Sequence, residues 1–515
     1  MTMSPLISAM AQVRNGRAIA RAAVPAMDAA SFSEAVLQSL ESGLRIAALF
    51  AAQEAAQLWV YAVLADDRQS RLHLARTQLQ PTAAGTYAWE SLTPHCPQVH
   101  LFEREMAEQF AITLHNHPWN KPVRFAPPLV APASSPAAPQ PQIGVMDFYR
   151  VEGDQVHEVA VGPVHAGIIE PGHFRFQCHG EEVFHLEISL GYQHRGVERA
   201  LLGKSLSNPR NFQYMQTLAG DTTIGHTTAF CHIYEALAAS SATPRAMAIR
   251  GIALELERLA NHTGDLGALA GDVGFLPTAS FCGRLRGDWL NMTAALCGSR
   301  FGRDLLRPGG IRFDLDQPAI DSLRKRLDQA EKDCTVAIQL LWDSPSVMAR
   351  FEETGPVPAD VAKELGLVGP AARACGLTHD IRHDHPSGIY GFSQIPVSSS
   401  DSGDVLARAF VRWLEIQRSI DFIRDQLASL PAGSIVAPPA AAAPDHIAVS
   451  LVEGWRGEIC HVALTDAHGN LARYKVVDPS FHNWPGLAYA LRNQQISDFP
   501  LCNKSFNLSY CGQDL

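Results

Sequence analysis

Two ionisable side chains, Asp221 and His226, lie in a polar loop at 213–226 that precedes an apolar run at 227–237. The apolar run is typical of a buried helix. A carboxylate and an imidazole are groups that exchange protons near neutral pH, so the loop is a candidate proton-transfer site. A hydrogen-bonded filling of the protein core explains the same residues equally well.

Three further ionisable residues, Glu255, Arg258 and His262, fall at positions i, i+3 and i+7 of a predicted helix at 244–262. This spacing places them on one face of the helix. A solvent-exposed ion pair is one interpretation. Because the rest of the stretch is rich in Ala, Met, Ile and Leu, a buried polar network is a comparably good one.

The cysteine pattern argues against several kinds of site. Ten cysteines are spread singly along the chain, and no two of them form a C-x-x-C pair. Structural zinc and iron–sulfur sites usually use such pairs, and disulfides are rare in large cytosolic chains. We therefore expect buried thiols and no metal or other cofactor bound by this chain alone.

The composition limits the classes of protein to which the chain can belong. The chain has 515 residues, of which 46% are hydrophobic and 18% charged, and its formal net charge is -10. It is long enough for two or more domains, and its acidic balance argues against a nucleic-acid partner. No apolar run reaches the ~18–20 residues of a membrane helix, and residues 1–30 lack the apolar core of a signal peptide. We expect a cytoplasmic protein that can dock on a membrane complex.

The elements that must position these residues begin with a small α/β domain. It is predicted at 31–125, after an N-terminal segment at 1–30 without clear periodicity. Apolar periodicity predicts a helix at 31–42 and strands at 58–65 and 71–78.

A second helix of this domain is predicted from Phe102, Met106 and Phe110, which recur every four residues. Glu103 and Glu105 lie off that apolar face. We expect these two carboxylates to be solvated on the surface of the helix.

A Pro/Ala-rich linker at 126–142 separates this domain from a larger one at 143–515. The larger domain is predicted to be mostly helical, with a β element at each end, one of them a hairpin near 161–177. A second Pro/Ala segment, at 431–444, should be a surface loop. The whole chain is therefore predicted to have an α+β fold. Its long helices are predicted at 244–262, 284–296, 320–341 and 405–427.

Long motifs in both domains resemble one protein family. The segments 91–94 and 102–112, closing in His117-Pro118, are similar to the 30 kDa, C-type component of NADH:quinone oxidoreductase, complex I. Residues 145–515 resemble its 49 kDa, D-type component and the large subunits of group 4 nickel–iron hydrogenases. The fused order is similar to the formate hydrogenlyase and hydrogenase-4 branch of that family. The motifs in the second domain are Gly162-Pro-Val-His, Glu170-Pro-Gly-His, His194-Arg-Gly-Val-Glu, Glu255-x-x-Arg258-x-x-x-His262, Gly369-Pro-Ala-Ala-Arg-Ala-Cys-Gly-Leu and Asp384-His-Pro.

The resemblance implies a metal site whose ligands this sequence lacks. Hydrogenase large subunits hold nickel and iron with four cysteines, from R-x-C-G-x-C and D-P-C-x-x-C motifs, because soft metals prefer thiolates. The four matching positions are occupied by Ala219, Thr222, Ser509 and Gly512. We predict that the chain holds no nickel or iron, and that the single thiol of Cys511 does not rebuild the site.

Two further features of the sequence are not expected to contribute to the metal site. We expect no cleavable extension for metal insertion after Leu515. Asp478-Pro479-Ser480 is similar to an altered Asp-Pro-Cys motif, but it lies too early in the chain. The family has a strand segment without ligands at that place.

The resemblance also implies a quinone site, in part. Tyr214 and Asp272 match the tyrosine and aspartate that bind the quinone head group in the 49 kDa component of complex I. The matching histidine is absent, because Ile169-Glu170 stands in its place. A packed core tyrosine is an equally good interpretation of Tyr214.

Arg195 matches an arginine near the 4Fe–4S cluster of a neighbouring small subunit, where a cation would raise the potential of the cluster. The alternative is an ion pair with Glu198. His194 and Glu198 are expected to be structural polar groups, as are Glu255, Arg258 and His262.

A histidine cluster, His379, His383 and His385, has the spacing H-x3-H-x-H, which could suggest zinc. The aspartates and arginine between these histidines belong to a charged loop of the family. We therefore favour solvated or ion-paired histidines.

The expected function is that of a redox-coupling core subunit, inactive alone, at the cytoplasmic face of a membrane-bound oxidoreductase complex. Its expected partners are a small iron–sulfur subunit, similar to the B-type component of complex I, and membrane subunits, one H-type and others antiporter-like. Two alternatives stay open. One is a quinone-reducing subunit of the NADH dehydrogenase type that uses Tyr214 and Asp272, and the other is a non-catalytic scaffold.

Overall fold

The structure is a computed structural model and describes residues 4–55, 57–83, 85–129, 141–167 and 169–515. It contains helices and sheets that enclose two large hydrophobic cores, one in each half of the molecule. The predicted mixture of helices and strands is confirmed.

The first half is built on a five-stranded sheet of order β1-β6-β5-β4, with β3 paired in parallel with β6. The central strands β4, β5 and β6 are antiparallel neighbours and mostly buried on both faces. This burial explains their nearly continuous apolar sequences. The elements are α1 Pro5–Ser8, β1 Ala11–Val13, β2 Arg17–Ala20, β3 Ala26–Met27, α2 Ala29–Glu41, β4 Arg45–Glu54, β5 Gln57–Asp66, β6 Arg71–Leu79, β7 Tyr87–Glu90, α3 His100–Phe110 and β8 Ile112–His115.

The helix predicted at 31–42 and the two strands are confirmed as α2, β5 and β6, with ends shifted by at most two residues, and the second predicted helix is confirmed as α3. Helix α2 begins after Asp28 because the Asp28 carboxylate accepts a hydrogen bond from Ser31 N at 3.0 Å. This side-chain cap satisfies a backbone donor of the first turn.

The two acidic residues of α3 are buried, so the prediction that they are solvated is wrong. Glu103 accepts a hydrogen bond from Trp89 Nε1 at 2.8 Å. Glu105 pairs with Arg124, and lies 2.6 Å from Lys475 Nζ. The prediction assumed that polar residues off the apolar face meet water. Glu103 instead meets hydrogen-bond donors of the first half, at 89–93, and Glu105 meets the cations Arg124 and Lys475.

The second half is mostly helical and carries small sheets near its start and end. The predicted hairpin is confirmed as part of a three-stranded antiparallel sheet, β11-β10-β9. The elements are β9 Val156–Val161, β10 His173–His179, β11 Glu182–Ser189, α4 Val197–Leu201, α5 Pro209–Met215, α6 Thr223–Leu237, α7 Pro244–Asp272, α8 Leu276–Cys297, β12 Leu306–Arg307, β13 Gly310–Ile311, α9 Gln317–Trp342, α10 Pro345–Phe351, α11 Ala359–Glu364, α12 Gly369–Arg373, α13 Ile381–Asp384, α14 Val405–Ala428, β14 His446–Gly454, β15 Gly457–Thr465, β16 Leu471–Val477, α15 Pro479–Ala490, α16 Phe499–Phe506 and α17 Tyr510–Asp514.

The four predicted long helices are confirmed as α7, α8, α9 and α14. Helix α7 is the centre of this half and packs against α6, α8, α14 and α16. It begins at the predicted proline, Pro244, but continues beyond His262 to Asp272. A Cβ added to Gly267 would lie 2.6 Å from the Cβ of Cys282, so the absent side chain lets α7 and α8 approach closely.

A second sheet, β16-β15-β14-β2, joins the two halves because each of its faces is buried in a different core. On β14, Ala448 and Val452 belong to the helical core, whereas Ile447, Val449 and Leu451 belong to the core of the first half. Successive strand residues point to opposite faces, so β14 contributes apolar side chains to both cores.

The N-terminal segment 1–30 contains regular structure that its sequence does not reveal. Strand β2 pairs antiparallel with β14, with Arg17 opposite Val449 and Ala20 opposite His446. Strands of two to four residues are too short to show a period-2 pattern. Residues 130–140 of the predicted linker lie outside the described residues. Among the described residues, no helix combines the length and apolar character needed to cross a bilayer.

Glu105→Gln should destabilise the fold, because it leaves Arg124 and Lys475 buried with one carboxylate fewer. Breaking a buried ion pair costs about 3–5 kcal/mol, so we expect a clearly lower midpoint of unfolding in urea. The matched change Glu331→Gln removes a partly exposed partner of Arg424 and should cost no more than about 1 kcal/mol. Equal midpoints for the two variants would contradict this prediction.

Candidate functional site

The loop at 216–222, between α5 and α6, is in contact with the C-terminal tail that carries α17. Arg195 makes the connection: its Nη1 donates to Thr217 O at 2.6 Å, and its Nη2 donates to Leu218 O at 2.8 Å and to Cys511 O at 3.4 Å. One guanidinium therefore links the backbones of the loop and the tail.

Glu198, the alternative partner predicted for Arg195, makes other contacts. Its carboxylate lies 2.9 Å from Arg473 Nη1 and 3.4 Å from Lys475 Nζ, and it accepts a hydrogen bond from Val476 N at 2.9 Å. Burial opposes its ionisation, but the two cations outweigh burial and hold the pKa of Glu198 well below its usual value. Arg195 is left solvent-exposed.

The tail is fixed by hydrogen bonds to the segment before α4. Because a carbonyl only accepts, His194 Nδ1 donates to Asp514 O, at 2.7 Å. The Asp514 carboxylate accepts from Gly191 N at 2.8 Å and from Gln193 N at 2.9 Å. Burial raises the pKa of Asp514 to about 6 in spite of these donors.

The four positions matched to metal ligands carry side chains with other contacts. Ala219 contributes only a buried methyl group. Thr222 Oγ1 donates to Asp221 Oδ1 at 3.0 Å. Ser509 Oγ accepts a hydrogen bond from Gly512 N at 2.9 Å and thereby caps α17.

Asp478 occupies the space beside the last of these positions. A Cβ added to Gly512 would lie 2.6 Å from Asp478 Cγ. Asp478 Oδ1 accepts from Ser480 N at 2.8 Å, and Ser480 Oγ accepts from Ser509 N at 2.8 Å. That this segment supplies no metal ligand stays a prediction, but its side chains contact the tail directly.

Asp221 forms a two-point ion pair with Arg456, at 2.7 Å from Nη1 to Oδ1 and 2.8 Å from Nη2 to Oδ2. Arg456 lies on the turn between β14 and β15, and its Nε also donates to Asn507 O at 2.6 Å. Burial opposes ionisation, but Arg456 outweighs it and lowers the pKa of Asp221. An ionised, doubly paired carboxylate holds the loop to the tail and is a poor proton carrier.

His226 lies in the middle of a buried chain of hydrogen-bonded side chains, here called the proton chain: Asp478, His226, His461 and Tyr474. His226 Nε2 lies 3.0 Å from Asp478 Oδ2, and its Nδ1 lies 3.1 Å from His461 Nε2. His461 Nδ1 lies 2.8 Å from Tyr474 Oη. Burial lowers the pKa of His461 well below its usual value.

Two proton arrangements satisfy every bond in the proton chain. With Asp478 ionised, His226 donates from Nε2, His461 donates from its own Nε2, and Tyr474 donates its hydroxyl proton. With Asp478 protonated, each of the three bonds reverses, His461 donates from Nδ1 to Tyr474, and the chain holds one proton more. The three hydrogen bonds can therefore stay intact in both protonation states of Asp478. Burial opposes ionisation, but the groups around the carboxylate, with the hydrogen bond from His226 foremost, together outweigh burial and lower the pKa of Asp478.

Glu257 caps the start of α6 beside this chain. Its Oε2 accepts from Ile224 N at 2.7 Å and its Oε1 from Gly225 N at 3.1 Å. Burial raises the pKa of Glu257 to about 8, although both backbone donors favour the ionised form. Asn261, one turn further along α7, donates to Asp221 O at 3.0 Å.

Glu255, Arg258 and His262 lie in a buried charge network, so the surface ion pair is the wrong interpretation. Arg258 contacts Glu255 at 3.0 Å and Glu415 at 3.3 Å, and His262 Nε2 lies 2.8 Å from Glu415 Oε2. The network joins α7 to α14 and β14. Its other members are Arg373, Asp380, Arg382 and Glu453.

Tyr214 and Asp272 are not joined by a hydrogen bond within the described part of the chain. Tyr214 lies in α5, half-buried, and packs against the helical core. Asp272 is the exposed last residue of α7. A quinone site that uses both residues stays a prediction.

Cys511 stands next to a ligand position but does not offer a thiolate. Burial raises the pKa of its thiol to about 12, and its Sγ lies 3.4 Å from Ser509 Oγ. Glu170, which replaces the histidine of the quinone motif, accepts a weak hydrogen bond from Tyr510 N at 3.4 Å and so belongs to the surroundings of the tail.

The three histidines with zinc-like spacing have separate partners. His379 Nε2 lies 3.2 Å from Leu367 O, His383 is exposed, and His385 Nε2 lies 3.0 Å from Asp67 Oδ1. In the residues that the structure describes, no group of three or more His, Cys, Asp or Glu is arranged to hold a metal ion.

Several site residues were not predicted, namely Glu257, Arg456, His461 and Tyr474. One signal was available for His461. It stands in the apolar run of β15, on the same face as Ile459 and Ala463, which belong to the helical core. A histidine at such a position indicates a buried hydrogen-bonded group.

The large subunits of complex I-like and hydrogenase-related complexes are the class of protein indicated by this helical fold, in which the loop at 216–222 contacts the C-terminal tail. A family model described as "Respiratory-chain NADH dehydrogenase, 49 Kd subunit" matches residues 272–446. The chain is 30% identical over 352 residues to the carbon monoxide-induced hydrogenase of Rhodospirillum rubrum, covering 68% of this chain and 97% of that protein. The chain belongs to the family of complex I 49 kDa subunits and group 4 hydrogenase large subunits.

Two further relatives represent the two branches of the family. Formate hydrogenlyase subunit 5 of Escherichia coli is 30% identical over 380 residues, which are 73% of this chain and 66% of that protein. The chain thus spans just under two thirds of that relative. NADH-quinone oxidoreductase subunit 4 of Thermus thermophilus is 28% identical over 375 residues, which are 67% of this chain and 90% of that protein.

Glu257 should make the stability of the protein depend on pH. Its pKa is about 8 in the folded chain and about 4.3 in an unfolded one. Between these values the folded chain keeps a proton that the unfolded chain loses, so stability falls as pH rises, by up to about 1.4 kcal/mol per pH unit. Glu257→Gln lacks this dependence, and its urea midpoint should rise relative to that of the wild type between pH 5 and 8.

The control for this change is Glu331→Gln, at a partly exposed carboxylate. Its profile of urea midpoint against pH should run parallel to that of the wild type. A parallel profile for Glu257→Gln as well would show that Glu257 ionises normally in the folded chain.

Proposed function

We propose that this chain is the core hydrophilic subunit of a membrane-associated, hydrogenase-related oxidoreductase complex. In this proposal it couples electron transfer to ion translocation and has no nickel–iron site of its own. The observation that carries the proposal is the position of Asp478, whose carboxylate fills the space beside Gly512 and bonds to His226.

The donor set around the loop and tail does not fit nickel and iron. The soft, low-valent metals of a nickel–iron site prefer thiolate ligands, and the matched positions supply a methyl group, two hydroxyls and a glycine. The one thiol nearby, Cys511, has a pKa raised to about 12 by burial, which disfavours the thiolate. No step of the proposed mechanism therefore runs through these metals.

The proton chain takes the place of the metal site in this proposal. It has two protonation states, one with Asp478 ionised and one with an added proton on Asp478, and these differ in the charge placed beside the tail. A change of charge at a nearby redox centre would favour one of them, because Coulomb interactions are strong in a buried, low-dielectric region. Asp221 stays ionised against Arg456 and positions the loop.

In this proposal the redox centre belongs to a partner subunit. We place a 4Fe–4S cluster on a small, B-type iron–sulfur protein of the complex that docks where Arg195 is exposed. The Arg195 guanidinium bonds only to carbonyls among its described contacts, so its positive charge is not cancelled by a carboxylate. Such a charge would raise the potential of a nearby cluster.

The remaining partners in this proposal are membrane subunits, one H-type and others antiporter-like, at the cytoplasmic face of the membrane. Residues 31–125 would act as a domain, fused to the core, that resembles the 30 kDa component of complex I. The buried charges that join α3 to β16, Glu105 and Lys475 among them, support a fixed arrangement of the two halves.

The first test is metal content. The purified protein, from cells grown with nickel and iron, should contain far less than one nickel per chain by elemental analysis. The double variant Gly512→Cys/Asp478→Ala, which frees space beside the tail, restores only one thiol and should stay equally poor in nickel. Stoichiometric nickel in the wild type would overturn the proposal.

The second test removes one hydroxyl from the proton chain. Tyr474→Phe keeps the ring and deletes the group bonded to His461, so ion uptake by membrane vesicles that carry the assembled complex should fall about tenfold or more. The matched change Tyr214→Phe, in α5, should leave uptake unchanged.

The same pair of variants separates the alternatives. Loss of quinone reduction in Tyr214→Phe, with Tyr474→Phe active, would favour the quinone site at Tyr214 and Asp272. Normal ion uptake in both variants would favour a scaffold. Normal subunit composition of each complex is the control that an observed loss is chemical rather than a failure of assembly.

A further inference from the structure

A cavity of about 580 Å³ lies between the two halves of the molecule, and the tail residue Gln513 forms part of its wall. Its walls come from the start of α3 and the segment after β8, from β11, and from α15. Cavities of about 300–1,000 Å³ are the usual size of small-molecule sites. Nothing in the proposed coupling function uses this cavity.

The walls of the cavity are mainly apolar and aromatic. Leu101 of α3, Leu186 of β11, Leu190 directly after β11, and Trp484 of α15 contribute buried or half-buried apolar surface. Trp119 stacks near the ring of Tyr149, with the ring centres 5.9 Å apart. A surface of this kind binds an apolar chain or ring.

Two arginines bring positive charge to this apolar space. Arg104 lines it and donates to Lys121 O at 2.7 Å and Pro122 O at 3.1 Å, but no carboxylate lies within ion-pair distance of it among the described residues. Arg492 also lines the cavity, and its exposed side chain lies against the ring of Tyr489.

The charge of the arginines is not cancelled by the other lining groups. Glu187, the one acidic residue among the described lining residues, is already paired with Lys121 at 2.7 Å and accepts from Tyr149 N at 2.7 Å. Burial lowers the pKa of His100 to about 3 and also lowers the pKa of His185. Both histidines are therefore neutral at pH 7, and the cavity keeps a positive potential.

Buried polar atoms of three lining residues have no hydrogen-bond partner among the described residues. These atoms are Trp484 Nε1, His185 Nε2 and Gln513 Oε1. A buried polar atom without a partner costs free energy, so a small shift of these side chains towards a bound ligand that supplies the missing bonds would be favourable.

We propose that this cavity binds an amphipathic organic anion, with an apolar chain or ring against Leu186, Trp484 and Tyr489 and a carboxylate or phosphate headgroup towards Arg104 and Arg492. Such an anion can come from two sources, a free organic acid or an anionic membrane lipid. The site is independent of the proton chain and of the proposed coupling function.

The test is calorimetric titration of the full chain with decanoate, compared with the neutral analogue decanol. We expect one decanoate per chain and at least about tenfold weaker binding of decanol, because the alcohol lacks the charge that the arginines attract. Equal affinity for the two would overturn the proposal.

Two variants locate the binding in the cavity. Ala488→Phe adds a ring to a lining residue of α15 and should abolish decanoate binding, whereas Ala295→Phe, at an exposed position of α8, should not change it. Arg492→Gln should weaken binding about fivefold, and Arg324→Gln, outside the cavity lining, should have no effect.

Arg492 is exposed, so its variant keeps the test valid even if Ala488→Phe does not fold. Unchanged decanoate binding in both Arg492→Gln and a folded Ala488→Phe would show that the anion binds elsewhere.

The source of the anion is decided with vesicles. Sedimentation with phosphatidylglycerol vesicles, but not with phosphatidylcholine vesicles, that is lost in Arg492→Gln and Ala488→Phe identifies a lipid headgroup. Decanoate binding without vesicle binding identifies a free acid. Binding of neither decanoate nor phosphatidylglycerol by the wild type would refute the proposal.

Discussion

A sheet buried on both faces is the constraint on which the rest of this structure depends. Strands β14, β15 and β16 lie between the helical core and the core of the first half, so any polar side chain on them needs a partner in the interior. On β16 and β15 these partners are found on both sides. Lys475 bonds to Glu105 of α3, whereas Tyr474 bonds to His461.

The same constraint explains the chemistry of the loop and tail. A carboxylate placed in this interior must be paired with a cation or protonated. The site contains one carboxylate of each kind. Asp221 is paired with Arg456, and Glu257 has a pKa raised to about 8 by burial. Burial opposes the ionisation of Asp478, but the groups around it, with the hydrogen bond from His226 foremost, together outweigh burial and lower its pKa. The site therefore holds fixed charge and exchangeable protons within one buried region.

Local patterns predict the long elements well, and the site only in part. Helix α7 is predictable because its proline start and apolar stripe are encoded within the segment itself. The role of Asp478 is missed because its position in the chain says nothing about its distance from Gly512, which the fold determines. The burial of Glu103 and Glu105 is missed for the same reason: a helix-face argument cannot tell whether the second face meets water or another sheet.

The pairing of strand β2 with β14 limits how early the chain can fold during its synthesis. Strand β2 pairs antiparallel with β14, so Arg17 can pair with Val449 only after residue 449 has been synthesised. During synthesis from the N-terminus, β2 is made long before β14, and its backbone groups lack this partner for that time. Contacts so distant in sequence also form slowly. Strand β2 therefore emerges from the ribosome before its partner strand has been synthesised, and the sheet can be completed only after β14 follows.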